Sequence, residues 1–229
     1  MTITTCVFDA YGTLFDVNAA AQAAAGDPAH AQLAEVWPAI ARDWRAKQLE
    51  YSWLRAAAGV HTDFWSVTQD GLDWALEAAG LADDLTLRED LLALYWELSA
   101  YPDALRALAV LKAQGFSTAI LSNGSPDMLD GAVHSSGLKI MLDAVLSVED
   151  VRVFKPASKV YEMVGERFDC APDQVLFASS NGWDAAFAAR FGFHTAWINR
   201  NGLPIDRLPG TPGHILPDLA DIPSLASTL

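Results

Sequence analysis

A short apolar run, Thr5-Cys-Val-Phe8, ends on Asp9 and is then separated from every other strand-like segment by a long stretch of helical pattern. Its β-branched and aromatic residues, closed by Tyr11-Gly12-Thr13, read as a buried strand running into a tight loop. One strand has no stability by itself, so it must pair with strands later in the chain, and what lies between becomes an insertion. From about residue 29 to 98 strand signals are missing, and three stretches, Ala31–Tyr51, Asp63–Ala79 and Thr86–Leu98, carry helical apolar spacing. After Pro102 the pattern alternates. Helices are predicted over 103–114, 126–135, 156–168 and 183–191, and strands over 116–121, 144–147, 174–178 and 193–198. Gly115, Gly137 and Gly192 stand where three of these helices should close. Alternation of this kind builds a parallel sheet covered by helices. The expected fold class is therefore α/β, with a core of residues 1–16 and 99–229 and an all-helical cap of residues 17–98 inserted after the first strand. The run Ala19–Ala25 marks the passage into the cap, and the tail after Asn199, with Pro204, Pro209, Pro212, Pro217 and Pro223, reads as mostly irregular and is assigned no chemistry.

Composition narrows the function classes. With 29 acidic against 15 basic residues the chain carries a formal charge of −14, which repels nucleic acid and anionic membrane surfaces. Cys6 and Cys170 form no CxxC pair, and the five histidines lack metal-site spacing. No apolar stretch approaches the roughly 18 to 20 residues that cross a bilayer, and the first residues lack a basic leader pattern. The expectation is a cytoplasmic protein without metal, cofactor, nucleic-acid or membrane partner.

Open parallel sheets bind ligands beyond the carboxyl ends of their strands, and the polar residues cluster at those ends. Asp9, Ser122-Asn123, Lys155 and Ser179 to Asp184 each follow a predicted strand. Asp9 is suited to be a nucleophile beside loop N–H groups, or is an ordinary turn aspartate. Lys155 either keeps a nearby carboxylate ionised or is a solvated loop lysine; its neighbour Pro156 suits a first helical position. Asp184 either orients that lysine or activates a water, or is a favourable carboxylate in a first helical turn. Ser122 and Ser179 donate to an anion or merely stabilise turns. For Arg45, spacing alone favours a surface arginine paired with a nearby acid over an inward-facing anion receptor. Six of the eight tryptophans, Trp37, Trp44, Trp53, Trp65, Trp74 and Trp96, fall in the helical block; most belong to a core, with one or two left to line a small apolar pocket.

Taken together these residues resemble the haloacid dehalogenase superfamily. Asp9-Ala-Tyr-Gly-Thr13 matches its first motif, Leu121-Ser122-Asn123-Gly124 its second and Lys155-Pro156 its third. Within it the chain is similar along nearly its whole length to the L-2-haloacid dehalogenases, through Phe8–Asp16, Trp44–Tyr51, Asp63–Thr68, Phe154–Pro156 and Ser179–Asp184. The resemblance implies a Rossmann-like core with a helical cap and hydrolysis of short (S)-2-haloalkanoates to (R)-2-hydroxyalkanoates plus halide, through an ester on Asp9. The alternative is a magnesium-dependent phosphatase. Against it stands Tyr11, where phosphatases of the superfamily carry a second aspartate that protonates the leaving alcohol; a departing halide needs no proton. By the resemblance, Thr13, Ser179 and Asn181 position Asp9 and the hydrolytic water, Lys155 keeps Asp9 ionised, and Asp184 holds Lys155 or activates water. Ser122 and the loop groups at Ala10 and Tyr11 bind the substrate carboxylate. Arg45 and Asn123 receive the halide, Phe64 and Trp183 form an apolar wall, and Tyr161 stands near the site. Relatives are commonly dimers, so a homodimer is expected, with a small haloacid and halide as the other partners.

Overall fold

The computed structural model describes residues 2–17, 26, 33–96 and 98–229. Six parallel strands form one sheet in the order β3-β2-β1-β4-β5-β6: β1 (Thr5–Phe8), β2 (Ser117–Ser122), β3 (Ala144–Ser147), β4 (Val175–Ser179), β5 (His194–Ile198) and β6 (His214–Leu216). As the lone strand required, β1 lies in the middle, hydrogen-bonded on both sides to strands far along the chain. Phe8 is in register with Ile120 of β2 and with Ala178 of β4. The order reverses between β1 and β4, and a crevice opens there because the chain leaves the two strands toward opposite sides. Asp9, Ser122-Asn123 and Ser179 to Asn181 all emerge at this end of adjacent strands. Every residue of β1 and β4 is buried, as expected of parallel strands covered on both faces.

Three cap helices, α1 (Leu33–Ala58), α2 (Phe64–Ala78) and α3 (Leu85–Ala93), precede the alternating part. Helix α1 runs beyond the expected Tyr51 because Ser52–Ala58 contains good helix formers and the first residue at positive φ is Gly59 (68°), a favoured helix stop. The expected start of this helix at Ala31 and the Ala19–Ala25 run lie outside the described residues. Helix α3 tightens at its end into a 3₁₀ turn, Leu94–Trp96, which brings Trp96 against Trp65 with ring centroids 4.9 Å apart. A buried cluster of Leu33, Trp37, Ile40, Trp44, Leu72 and Leu91 holds the cap helices together, each such side chain contributing about 1.5–3 kcal/mol by leaving water. Phe64 and Val67, at the start of α2, belong instead to the cluster that runs through the sheet.

The sheet is flanked by α4 (Pro102–Ala113), α5 (Pro126–Ser135), α6 (Ser158–Phe168), α7 (Gly182–Phe191) and α8 (Ile222–Thr228). One expectation is corrected. Pro156 does not open a helix: the Lys155–Pro156 peptide is cis and α6 begins at Ser158. The tail is mostly irregular, as expected, apart from a parallel edge strand β6, whose His214 pairs with Ala196, and the short α8 that follows. Pro212 and Pro217 flank this strand rather than interrupt it, and Pro223 occupies the first turn of α8, where a missing N–H costs nothing. Among the described residues no helix is long and apolar enough to cross a membrane.

Candidate active site

The loop after β1 is shaped by one carbonyl. Ala10 O accepts from the N–H groups of Thr13, Leu14 and Phe15 at 3.2, 2.9 and 3.1 Å. Gly12 takes φ +82°, and a β-carbon there would stand 3.0 Å from Ser180 Oγ, so both the turn and the close approach call for glycine. This turn folds the Thr13 hydroxyl back onto Asp9. It also leaves the N–H groups of Ala10 and Tyr11 without an acceptor among the described residues.

The two oxygens of Asp9 are treated differently. Oδ2 accepts from Asn181 Nδ2 at 2.9 Å, Thr13 Oγ1 at 3.1 Å and Ser179 Oγ at 3.4 Å. Oδ1 faces Lys155 Nζ at 3.2 Å. The Thr13 hydroxyl is itself fixed by the N–H of Ser180 at 2.8 Å, which leaves its proton for the carboxylate. Asn181 is oriented at both ends, since its Oδ1 accepts from Arg45 Nη2 at 3.1 Å and its N–H donates to Ser179 Oγ. Here the expectation from spacing fails. Arg45 is half-buried and turned from α1 onto the core, because the neighbouring Trp44 and Gln48 bury themselves in the cap and rotate this helical face toward the crevice.

Lys155 is buried between two carboxylates. Its ammonium donates to Asp184 Oδ2 at 2.7 Å as well as to Asp9, and Asn123 Oδ1 holds its backbone N–H at 2.9 Å. Burial by itself lowers the lysine pKa, but the charges and hydrogen bonds of Asp184 and Asp9 outweigh it and hold the ammonium above its ordinary value. Asp184, in the first turn of α7, is fully buried; burial pushes its carboxyl upward against the opposing pull of Lys155. Its other oxygen accepts from Tyr161 Oη at 2.8 Å, so both oxygens are occupied. Burial, followed by the Asp184 charge beside it, raises the Tyr161 phenol well above its usual range and keeps it a donor.

Ser122, also buried, accepts from Gly124 N at 3.0 Å. Tyr11 Oη is buried without a hydrogen-bond partner among the described residues, and burial pushes its pKa up. The ring lies against Phe64, with centroids 6.4 Å apart, and Phe64 continues to Phe154 at 6.1 Å. Trp183 stands apart from this wall. It meets Trp53 edge-on at 5.4 Å and lines a separate apolar cavity shared with Phe154.

Asp9, Thr13, Lys155, Tyr161, Ser179, Asn181 and Asp184 thus form one hydrogen-bonded cluster, with Arg45 joined through Asn181 and Asn123 through Lys155. Two contributors escaped the sequence. Ser180 fixes Thr13 though it sits among named residues, and Arg200 Nη2 donates to Thr13 O at 3.0 Å and to Asp103 Oδ2 at 2.9 Å while lying 3.9 Å over the Tyr101 ring. Arg200 follows β5 closely, so the strand-end rule applied to that strand would have found it. A magnesium site is not what these residues fit: an ammonium occupies the space between the two buried carboxylates, and a tyrosine stands two residues after Asp9. Among the described residues no group of three or more His, Cys, Asp or Glu side chains is placed to hold a metal ion.

Comparison with known proteins agrees with this geometry. The sequence profile of the haloacid dehalogenase-like hydrolases matches residues 3–192. The (S)-2-haloacid dehalogenase 1 of Pseudomonas sp. (strain CBS-3) is 44% identical over 223 residues, 97% of this chain and 96% of the relative. A crystal structure of a dehalogenase with an intermediate complex superposes with a TM-score of 0.93 at 38% identity, over 99% of this chain and 98% of the other. The L-2-haloacid dehalogenase of Xanthobacter autotrophicus with chloropropionic acid covalently bound gives a TM-score of 0.86 at 38% identity over 98% of each chain.

Proposed function

Because the chain belongs to the haloacid dehalogenase-like hydrolases, we propose that it is a hydrolase of carbon–halogen bonds, an (S)-2-haloacid dehalogenase that converts short L-2-haloalkanoates to (R)-2-hydroxyalkanoates and halide. The observation that carries this reading is the unequal treatment of the Asp9 oxygens. Oδ1 attacks C2 of the haloacid from the side opposite the halogen, a C–O bond forms as the C–halogen bond breaks, and the halogen departs with the bonding pair. The configuration at C2 inverts. Lys155 keeps Asp9 ionised for this step. In the resulting ester Oδ2 is the carbonyl oxygen, already surrounded by Asn181, Thr13 and Ser179. Donors fixed in advance stabilise the charge that builds on that oxygen when water attacks Cγ. The Cγ–Oδ1 bond then breaks, Oδ1 leaves as the product hydroxyl, and the carboxylate returns with one oxygen from water and release of a proton.

Roles for the remaining residues follow from their surroundings. Both Asp184 oxygens are occupied, which supports holding Lys155 over activating water, and Tyr161 holds Asp184. The free N–H groups of Ala10 and Tyr11, with Ser122, suit the substrate carboxylate. Arg45 and Asn123 suit the halide, and Phe64 supports an apolar wall. Trp183, turned toward Trp53, supports such a wall less directly. We also read residues 1–16 and 99–229 as the core and 17–98 as the cap, and the protein as a cytoplasmic homodimer; exposed Trp53 and Leu54 near the end of α1, with Val60 just beyond it, support the dimer.

A single turnover of (S)-2-chloropropionate in heavy-oxygen water, with a chelator present, tests the mechanism. Halide release with the label on the Asp9-containing peptide is expected. Label in the hydroxyl of the first-turnover product would overturn the ester route, and turnover of p-nitrophenyl phosphate that the chelator stops would favour the phosphatase.

A further inference from the structure

The segment that joins α1 to α2 carries a polar tie to the core outside the hydrogen-bonded cluster around Asp9. His61 Nε2 and Glu149 Oε2 stand 3.0 Å apart, with the two side chains 9% and 19% exposed. Glu149 lies in the 3₁₀ turn Val148–Asp150 that follows β3. Their other polar atoms, His61 Nδ1 and Glu149 Oε1, are buried without a partner among the described residues. Each side chain therefore has the other as its hydrogen-bond partner, and loss of either strands a polar group away from water, which is costly.

Both members reach the active site by short routes. On the core side, Glu149 N donates to Ser147 Oγ at 3.2 Å, and Ser147 Oγ donates to Gly124 O at 2.7 Å, next to Asn123. On the cap side, the His61 ring lies 4.8 Å from Phe154, which precedes Lys155 and meets Phe64 at 6.1 Å. Phe64 opens α2 just after His61. Asp63 caps that helix, accepting from Ser66 N at 2.9 Å and from Ser66 Oγ at 2.7 Å, so the backbone between the tie and Phe64 has little slack.

That placement bears on one side of the substrate. The groups suited to the substrate carboxylate, the N–H groups of Ala10 and Tyr11 with Ser122, all belong to the core. The halide side combines Arg45 and Phe64 from the cap with Asn123 from the core, so it keeps its shape only while cap and core stay in register. We propose that His61 and Glu149 are positioning residues, which hold Phe64 against the segment bearing Asn123 and Lys155 and thereby govern carbon–halogen cleavage. The proposal rests on the dehalogenase reading.

The test is kcat/KM for halide release from (S)-2-chloropropionate and (S)-2-bromopropionate, on the wild-type protein, His61→Phe and His61→Gln. Phenylalanine keeps a ring against Phe154 and removes the donor, whereas glutamine gives up the ring and keeps an N–H near the Nε2 position. His61→Phe should lose about tenfold on the chloro acid, the low end for a hydrogen bond to a charged group. It should lose less on the bromo acid, because bromide is the weaker base and its departure needs less help from the halide site. A change in folded fraction alone would lower both equally. His61→Gln should recover most of the loss on both acids. A folded His61→Phe that matches the wild type, or that falls equally on both acids, overturns the positioning role and leaves the dehalogenase reading standing. His61→Gln falling as far as His61→Phe overturns it too, since the hydrogen bond would then not be the cause. Glu149→Met, which removes the acceptor, repeats the comparison if His61→Phe does not fold. Release from neither acid by the wild type overturns both readings.

Discussion

Replacing Lys155 by Met keeps most of the buried aliphatic stem and removes only the ammonium. What remains is a fully buried Asp184 and a nearly buried Asp9, both previously held by the same nitrogen at 2.7 and 3.2 Å. Removing one partner of a buried ion pair costs about 3–5 kcal/mol because the other charge is left uncompensated. For a chain of this length each kcal/mol moves Tm by roughly 2–4 °C, so Tm should fall by roughly 6–20 °C at pH 8. Halide release should fall by about two to three orders of magnitude, the range seen when one preorganised charge-stabilising group is lost. The pH dependence identifies the cause. In the wild type, Lys155 has its pKa raised above 10.5, so its contribution is complete below that pH and disappears as pH rises through the folded value. In the variant the buried Asp184 carboxyl loses the opposing pull of Lys155, and a carboxyl raised by burial destabilises the folded state once pH exceeds its unfolded range. The Tm deficit of Lys155→Met should therefore shrink as pH falls from 8 toward 4. Melts of both proteins across that range read it directly. An equal deficit at both ends, or activity within tenfold of wild type at pH 8, would refute the charge argument.

Asn181→Ala removes the shortest hydrogen bond to Asp9 Oδ2 and the acceptor of Arg45 together. A hydrogen bond to a charged group contributes about 1.5–3 kcal/mol, so kcat should drop roughly 10- to 150-fold with the fold intact; hydrolysis of the ester should slow, which rapid-quench detection of accumulated acyl-protein would show. Arg200→Met removes the donor to Thr13 O and the partner of Asp103, and should lower stability by about 1–3 kcal/mol in urea unfolding. A change below about half a kcal/mol in that measurement would mean that the loop is held without Arg200.

Much of the arrangement was legible residue by residue. A strand with no neighbour ahead of a helical block had to sit inside the later sheet, and Asp9, Lys155 and Asp184 were visible because carboxylates and a lysine stood at predicted strand ends. Arg45 was misread by spacing because the face a helical residue presents depends on which neighbours bury, and Trp44 and Gln48 decided that. The short strand and helix within the otherwise irregular tail were not legible because five prolines look like loop signals. Prolines outside a strand or in a first helical turn do not break either element, and local pattern cannot tell those positions apart.

What the sequence determined by itself, therefore, was the order of elements, the insertion after β1 and the residue types at the strand ends, all of which follow from local periodicity and chain connectivity. The tertiary structure alone decided that Asn181, Thr13 and Ser179 converge on one oxygen of Asp9 while Lys155 takes the other. It alone decided that both oxygens of Asp184 are occupied and that a cavity remains under the cap. Those facts depend on distances between residues far apart in the chain, and such distances are set by sheet register and packing, which no local pattern encodes.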